Sequence, residues 1–196
     1  KLDQAIKTWS NITQDDDPKT YAQAQDNLGF AYKDQGKLDQ AIKTWSNITQ
    51  DDDPKTYAQA QDNLGFAYKD QGKLDQAIKT WSNITQDDDP KTYAQAQDNL
   101  GFAYKDQGKL DQAIKTWSNI TQDDDPETYA QAQLSLGFVY HTQGKLDQAI
   151  KTWSKVRHDD DPGSYARAQN NLGIVYKDQG KLDQAIKTWS KVRHDD

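Results

Sequence analysis

The chain has 196 residues, 34% apolar and 28% charged, with 24 Lys and Arg against 31 Asp and Glu and a net charge of −7. Such an acidic chain repels phosphate backbones, which argues against nucleic-acid binding, and no apolar run approaches the roughly 18–20 residues that span a bilayer. Cysteine is absent, which excludes a disulfide framework, a thiolate nucleophile and a thiolate metal site; it fits a reducing cytosol without excluding secretion.

The low apolar fraction does not signal disorder, because ten Tyr, six Trp and four Phe recur at regular places. Residues 1–36 return unchanged as 37–72 and 73–108, then as diverged copies at 109–144 and 145–180, with a partial sixth copy at 181–196. In chain order each unit supplies a short helical pattern, B, and then a longer one, A. The copy at Asp53 shows helix A. Asp53 is a good N-cap and Pro54 suits the first helical position. Tyr57, Ala60, Leu64, Ala67 and Tyr68 then trace one face, and Gly72 supplies the left-handed residue that ends the helix. Helix A is predicted over 54–70. Leu74, Ala77, Ile78, Trp81 and Ile84 form the next stripe, which predicts helix B over 74–85.

The polar run 86–89 leads to Pro90 and the next helix A. Six B and five A patterns alternate along the chain. Two antiparallel helices joined by a short Gly-containing turn cannot bury their apolar faces alone, so the units must stack. The expected fold class is all-α, a right-handed solenoid of stacked antiparallel hairpins, one array over residues 1–196. The chain starts at Lys1 and neither end carries a polar capping helix, so a fragment, a processed or designed chain, or an uncapped array is expected.

The residues resemble the tetratricopeptide repeat. The match runs through Ala22, Asn27-Leu28-Gly29, Tyr32, Gly36, Ala41, Trp45 and Pro54, and it repeats over essentially the whole chain. In that family the Leu-Gly pair and the Tyr lie on helix A, and a small residue on helix B sits where the helices cross closely. The usual unit has 34 residues. The two extra ones here lie on either side of Pro54, between Ile48 and Ala58, as a longer corner or an added half turn. Gln25 stands where many members carry Trp, and Ile48 where a small residue is usual; the added bulk of one offsets the loss at the other.

The resemblance implies a non-catalytic scaffold that holds a protein or peptide segment in a concave groove lined by A helices. The groove positions carried over are Gln23, Asp26, Phe30, Lys33 and Asp34, then Gln59, Asp62, Phe66, Lys69 and Asp70, then Gln95, Asp98, Phe102, Lys105 and Asp106. In the diverged copies they become Gln131, Leu134, Phe138, His141 and Thr142, then Arg167, Asn170, Ile174, Lys177 and Asp178. Each of the five positions changes in at least one copy, whereas Leu28, Gly29, Tyr32, Ala41 and Trp45 keep their identity in every complete copy. Either the groove is tuned towards its C-terminal end, or exposed positions have drifted.

The ladder of Phe30, Phe66, Phe102 and Phe138 stands off the core stripe. It is either an anchor for a partner's apolar side chains or a set of contacts to the next A helix. Trp9, Trp45, Trp81, Trp117, Trp153 and Trp189 lie on the apolar face of helix B and are expected in the core, each indole seeking a hydrogen-bond acceptor. The Asp-Asp-Asp-Pro corners (Asp15, Asp16 and Asp17, with their copies) lack the Gly turn and distal Glu of a calcium loop, and capping accounts for them. His141, His158 and His194 have no second His or Cys at ligand spacing, so neither a metal site nor a general base is expected. The sequons at Asn11, Asn47, Asn83 and Asn119 follow from one repeated unit and are expected to be coincidental.

No catalytic residue constellation and no cofactor motif emerges. The expected partner is a protein or peptide with apolar anchors and some positive charge. Chaperone-tail clamps of the family present basic and Asn residues to a terminal carboxylate. Asn27 matches one such position, but Asp26 and Phe30 replace the others, so a carboxylate-tail ligand is not expected. Two alternatives stand beside this scaffold. Stacking end to end would give fibres, since contacts that do not close on themselves propagate. An engineered repeat scaffold would also contain identical units, although the diverged copies equally fit recent duplication.

Overall fold

The structure is a computed structural model that describes residues 2–15 and 17–192. All regular secondary structure among these residues is helical: α1 (Leu2–Trp9), α2 (Pro18–Asp34), α3 (Leu38–Trp45), α4 (Pro54–Asp70), α5 (Leu74–Trp81), α6 (Pro90–Asp106), α7 (Leu110–Ser118), α8 (Pro126–Thr142), α9 (Leu146–Trp153), α10 (Pro162–Asp178) and α11 (Leu182–Trp189). The even-numbered helices are the A elements and the odd-numbered ones the B elements. The architecture is an all-α solenoid of helix hairpins, with α2 against α3, α4 against α5, α8 against α9 and α10 against α11.

Helix A begins and ends as its sequence predicts. Asp53 is extended at φ −167°, and its carboxylate accepts the Thr56 N–H at 3.1 Å, with Pro54 at the first position. At the other end Gly72 takes φ +73°. The Gly72 N–H reaches Lys69 O at 2.9 Å and the Lys73 N–H reaches Tyr68 O at 2.8 Å, the paired bonds of a Schellman turn. This closure lets helix B start two residues later.

Helix B is shorter than its apolar stripe predicted, ending at Trp81 rather than at Thr85. Ser82 still bonds back to Ile78, but the N–H groups of Asn83 and Ile84 reach only Thr80 and Trp81, three residues back. Thr85 leaves the helix because its N–H and hydroxyl both donate to the Asp88 carboxylate, at 2.9 and 2.7 Å. Ile84 is nevertheless 2% exposed. The stripe therefore reports burial correctly and helix length incorrectly.

The chain forms two compact units, Lys1–Leu100 and Gly101–Asp196. In the first, one cluster joins Ala22, Ala41, Trp45 and Ile48 to Ala60, Leu64 and Ala67 of the following A helix. In the second, Ala130, Ala149, Trp153 and Val156 meet Ala168, Leu172 and Val175 in the same way. Each core thus spans two successive hairpins, as a hairpin with two apolar faces requires. Trp45, Trp81, Trp117 and Trp153 are buried, and Trp9 and Trp189 half-buried. The crossing is close: a Cβ at Gly65 would lie 2.2 Å from Trp81 Nε1, and one at Gly137 equally close to Trp153 Nε1. The Gln that replaces the family's Trp is buried, with Gln25 9% and Gln133 3% exposed.

Corners are bracketed rather than loose. Asp52 accepts the Thr49 N–H and hydroxyl at 2.9 and 2.8 Å, and also the Gln14 amide from 38 residues upstream. Gln50 bonds Asp88 in the same register, and Gln122 bonds Asp160 in the second unit. At Asp52, Asp88 and Asp160 the middle Asp of the triplet ties two repeats together, and the Asp that follows each caps a helix. Asp16 lies outside the described residues.

Candidate functional site

The groove positions all project from A helices, and their exposure separates them. Gln23, Lys33 and Asp34 are exposed, as are Gln59, Lys69, Asp70, Gln95, Asp106, Gln131, Thr142, Arg167, Asn170, Lys177 and Asp178. Asp26, Asp62, Asp98, Lys105, Leu134 and His141 are half-buried. Phe30, Phe66, Phe102 and Phe138 are 41%, 36%, 37% and 56% exposed, and Ile174, in the fifth copy, 41%.

Three of the Phe rings are braced from within their own hairpins. Phe30 meets Trp45 edge-on at 5.6 Å between centroids, Phe66 meets Trp81 at 5.5 Å, and Phe102 meets Trp117 at 5.3 Å. These T-shaped contacts fix the rings in orientation while leaving an apolar edge open to solvent. In the fourth copy the ring beside Trp153 is His141, at 5.9 Å.

The groove Asp does more than line a surface. Asp26 Oδ1 accepts the Trp45 indole N–H at 3.0 Å and the Asn63 amide at 3.3 Å. Asp62 Oδ1 accepts the Asn99 amide at 3.2 Å, while the Trp81 indole donates to the Asp62 carbonyl at 3.3 Å. Burial raises both carboxyls, Asp62 to about 6, against the lowering effect of these donors. The Asn in this ladder repeats Asn27, which the sequence marked only as a match to a clamp position and not as a partner of the groove Asp. Its signal was spacing: Asn63 lies 37 residues after Asp26, one repeat and one position on.

Where the Asp is replaced, the indole keeps its acceptor. Trp153 Nε1 donates to the Leu134 carbonyl at 3.2 Å, and Trp189 Nε1 to the Asn170 carbonyl at 3.3 Å. A backbone acceptor is indifferent to the side chain, so this position can change without leaving a buried N–H unpaired.

Groove positions line pockets of similar size in each unit. One in the first unit, about 310 Å³, is lined by Asp26, Phe30, Gln59, Asp62 and Asn63 together with Lys55, Asp89 and the start of α6. That of the second, about 320 Å³, is lined by Phe102, Lys105, Trp117, Leu134, Ser135, Phe138, Arg167, Asn170 and Asn171. The first mixes acids with lysines, and Lys55 pairs with Asp89 at 3.8 Å. No acid lines the second.

The remaining candidates do not gather into a site. Among the described residues no group of three or more His, Asp or Glu side chains is placed to hold a metal ion, and no helix is long and apolar enough to cross a membrane. His158 packs edge-on to Tyr165 at 5.6 Å. His194 lies outside the described residues. Asn47 and Asn83 fall just past the ends of α3 and α5, on exposed turns.

Two family models match, both described as tetratricopeptide repeat, one over residues 99–165 and 142–192 and the other over residues 23–54 and 59–90. No curated protein sequence matches significantly. A crystal structure of MamA is 27% identical, covering 84% of this chain and 92% of that one, with a TM-score of 0.61. A second MamA crystal structure is 26% identical, covering 87% and 89%, with a TM-score of 0.62. BtubC (BKLC) from P. vanneervenii is 16% identical over 97% of this chain and 86% of that one, with a TM-score of 0.65, a likeness of fold.

Proposed function

We propose that this chain, which belongs to the tetratricopeptide-repeat family, works as a protein-interaction scaffold that binds a peptide or protein segment on the A-helix face of its units. The observation that carries the proposal is the Phe ladder. Four aromatic rings, each 36–56% exposed, are presented at the groove positions. An exposed ring costs solvation unless something covers it, and preorganised aromatic anchors lose little entropy on binding. The role is non-catalytic, in keeping with the general character of the family.

A peptide-array screen of the folded chain tests this, followed by titration of the best binder against Phe66→Ala and Phe138→Ala. Selective binding, weakened by at least one substitution while helicity is kept, is the expected result. A folded chain that selects no peptide, or whose binder ignores both substitutions, refutes it. A chain that instead assembles with itself would show mass rising with concentration in light scattering.

A further inference from the structure

We infer that the pocket of the second unit receives a protein segment in which an Asp or Glu side chain lies beside a bulky apolar one. The inference rests on the groove binding proposed above and names the chemistry of its partner there.

It starts from an interrupted ladder. In the first unit the amide of Asn63 donates to Asp26 and that of Asn99 donates to Asp62. The corresponding pair in the second unit is Leu134 and Asn171, both of which line the pocket. The donor has been kept and the acceptor replaced by a side chain that accepts nothing. Two cations share the same pocket, Lys105 and Arg167. Lys105 lies over the Phe102 ring at 5.1 Å from its centroid, and Arg167 is exposed. An amide, an ammonium and a guanidinium thus face a space whose lining holds no carboxylate, in a chain of net charge −7. A carboxylate entering there would stand in for the missing Asp and meet charge-assisted donors beside low-dielectric walls.

Those walls specify the second half of the ligand. Leu134 is half-buried, and Phe138, at 56%, is the most exposed ring of the ladder. Together with Phe102 they offer an apolar seat of about 320 Å³, room for one large side chain and part of its neighbour. The carboxylate belongs to a side chain within a segment and is not a chain terminus, which Asp26 and Phe30 disfavour at the clamp positions.

The probes are three short peptides, N-acetylated and C-amidated to remove terminal charges, with Glu, Gln or Lys beside a central Phe. Fluorescence anisotropy on the full chain should find the Glu peptide about tenfold tighter than the Gln peptide. The Lys peptide should be weakest, and added salt should shrink the Glu advantage. Leu134→Asp, which restores the acid found at Asp26 and Asp62, and Arg167→Ala should each erase the preference, with circular dichroism confirming the fold. In ¹⁵N spectra the Asn171 side-chain amide should shift with the Glu peptide and not with the Gln one. Equal affinity for Glu and Gln overturns this inference and leaves groove binding intact. If none of the three binds it also falls, and the peptide array then decides whether groove binding falls with it.

Discussion

In the first unit the groove pocket is lined by Asp26 and Asp62, each held by an Asn from the next repeat. In the second, Leu134 takes the place of the acid while Asn171 remains, and the cations Lys105 and Arg167 look into the gap. The hairpins beneath are the same in both. Gly65 and Gly137 sit equally tight against Trp81 and Trp153, and the third Asp of each corner caps the next helix. The contrast teaches where a repeat protein can store difference. Substitution is cheap where the framework needs only a backbone atom, as the Trp153 indole needs only the Leu134 carbonyl. It is costly where a side chain fills a crossing.

The comparison breaks first at the core. Trp81→Ala and Trp153→Ala should each lose about 3–5 kcal/mol of stability in denaturant unfolding, because each empties a buried slot between hairpins. A large inequality between them would show that the two units do not share one framework. Gly65→Ala and Gly137→Ala come next, at about 3 kcal/mol, since a methyl placed 2.2 Å from an indole nitrogen must displace the ring. Thermal melts of the pair should again agree.

The next prediction separates the units. The folded-state pKa of Asp62 is about 6, above its ordinary 3.8, so the folded form holds this proton more tightly than the unfolded chain does. Its contribution to stability therefore falls as pH rises from about 4 to about 6 and stays low above that, by about 3 kcal/mol. Asp62→Asn should flatten the stability profile in that window, whereas Leu134→Asn in the second unit should leave it unchanged. The capping carboxylates work in the opposite sense. Asp53 and Asp161 are held below the ordinary value by their Thr56 and Ser164 hydrogen bonds, Asp53 against the opposing effect of burial. Their support is present above about pH 4 and is lost as pH falls below it. Removing one cap, by Asp53→Ala or Asp161→Ala, should cost about 1 kcal/mol in either unit. This is the smallest effect of the series, read from urea midpoints.

Helix A was legible to the residue because both of its ends are set by local chemistry: Asp-Pro at the start, Gly in the left-handed region at the end. Helix B was overread because apolar spacing records which side chains are buried. The Thr85–Asp88 bracket that unwinds its last turn is a polar interaction that such spacing does not register. Within the groove, exposure of the Phe positions followed from their place off the core stripe, but their bracing by the same hairpin's Trp did not, since that contact depends on how two helices cross. Asp26 was read as a surface residue and proved half-buried beneath an indole, for the same reason. The pocket at Leu134 was visible only as one substitution among several. What distinguishes it, an Asn left without its acid, requires knowing which residues of adjacent repeats face each other.

The Gln-to-Asp corner bonds have a consequence for how the chain folds and changes length. Each joins residues 38 apart, such as Gln50 and Asp88, so within a unit a corner depends on its immediate neighbour and on nothing more remote. Contacts of such short reach favour quick growth from any nucleus and fraying from the ends inward. They also make the repeat a modular part. Cutting out or copying in 36 residues rejoins surfaces that already fit, which is the condition under which three identical copies can sit side by side.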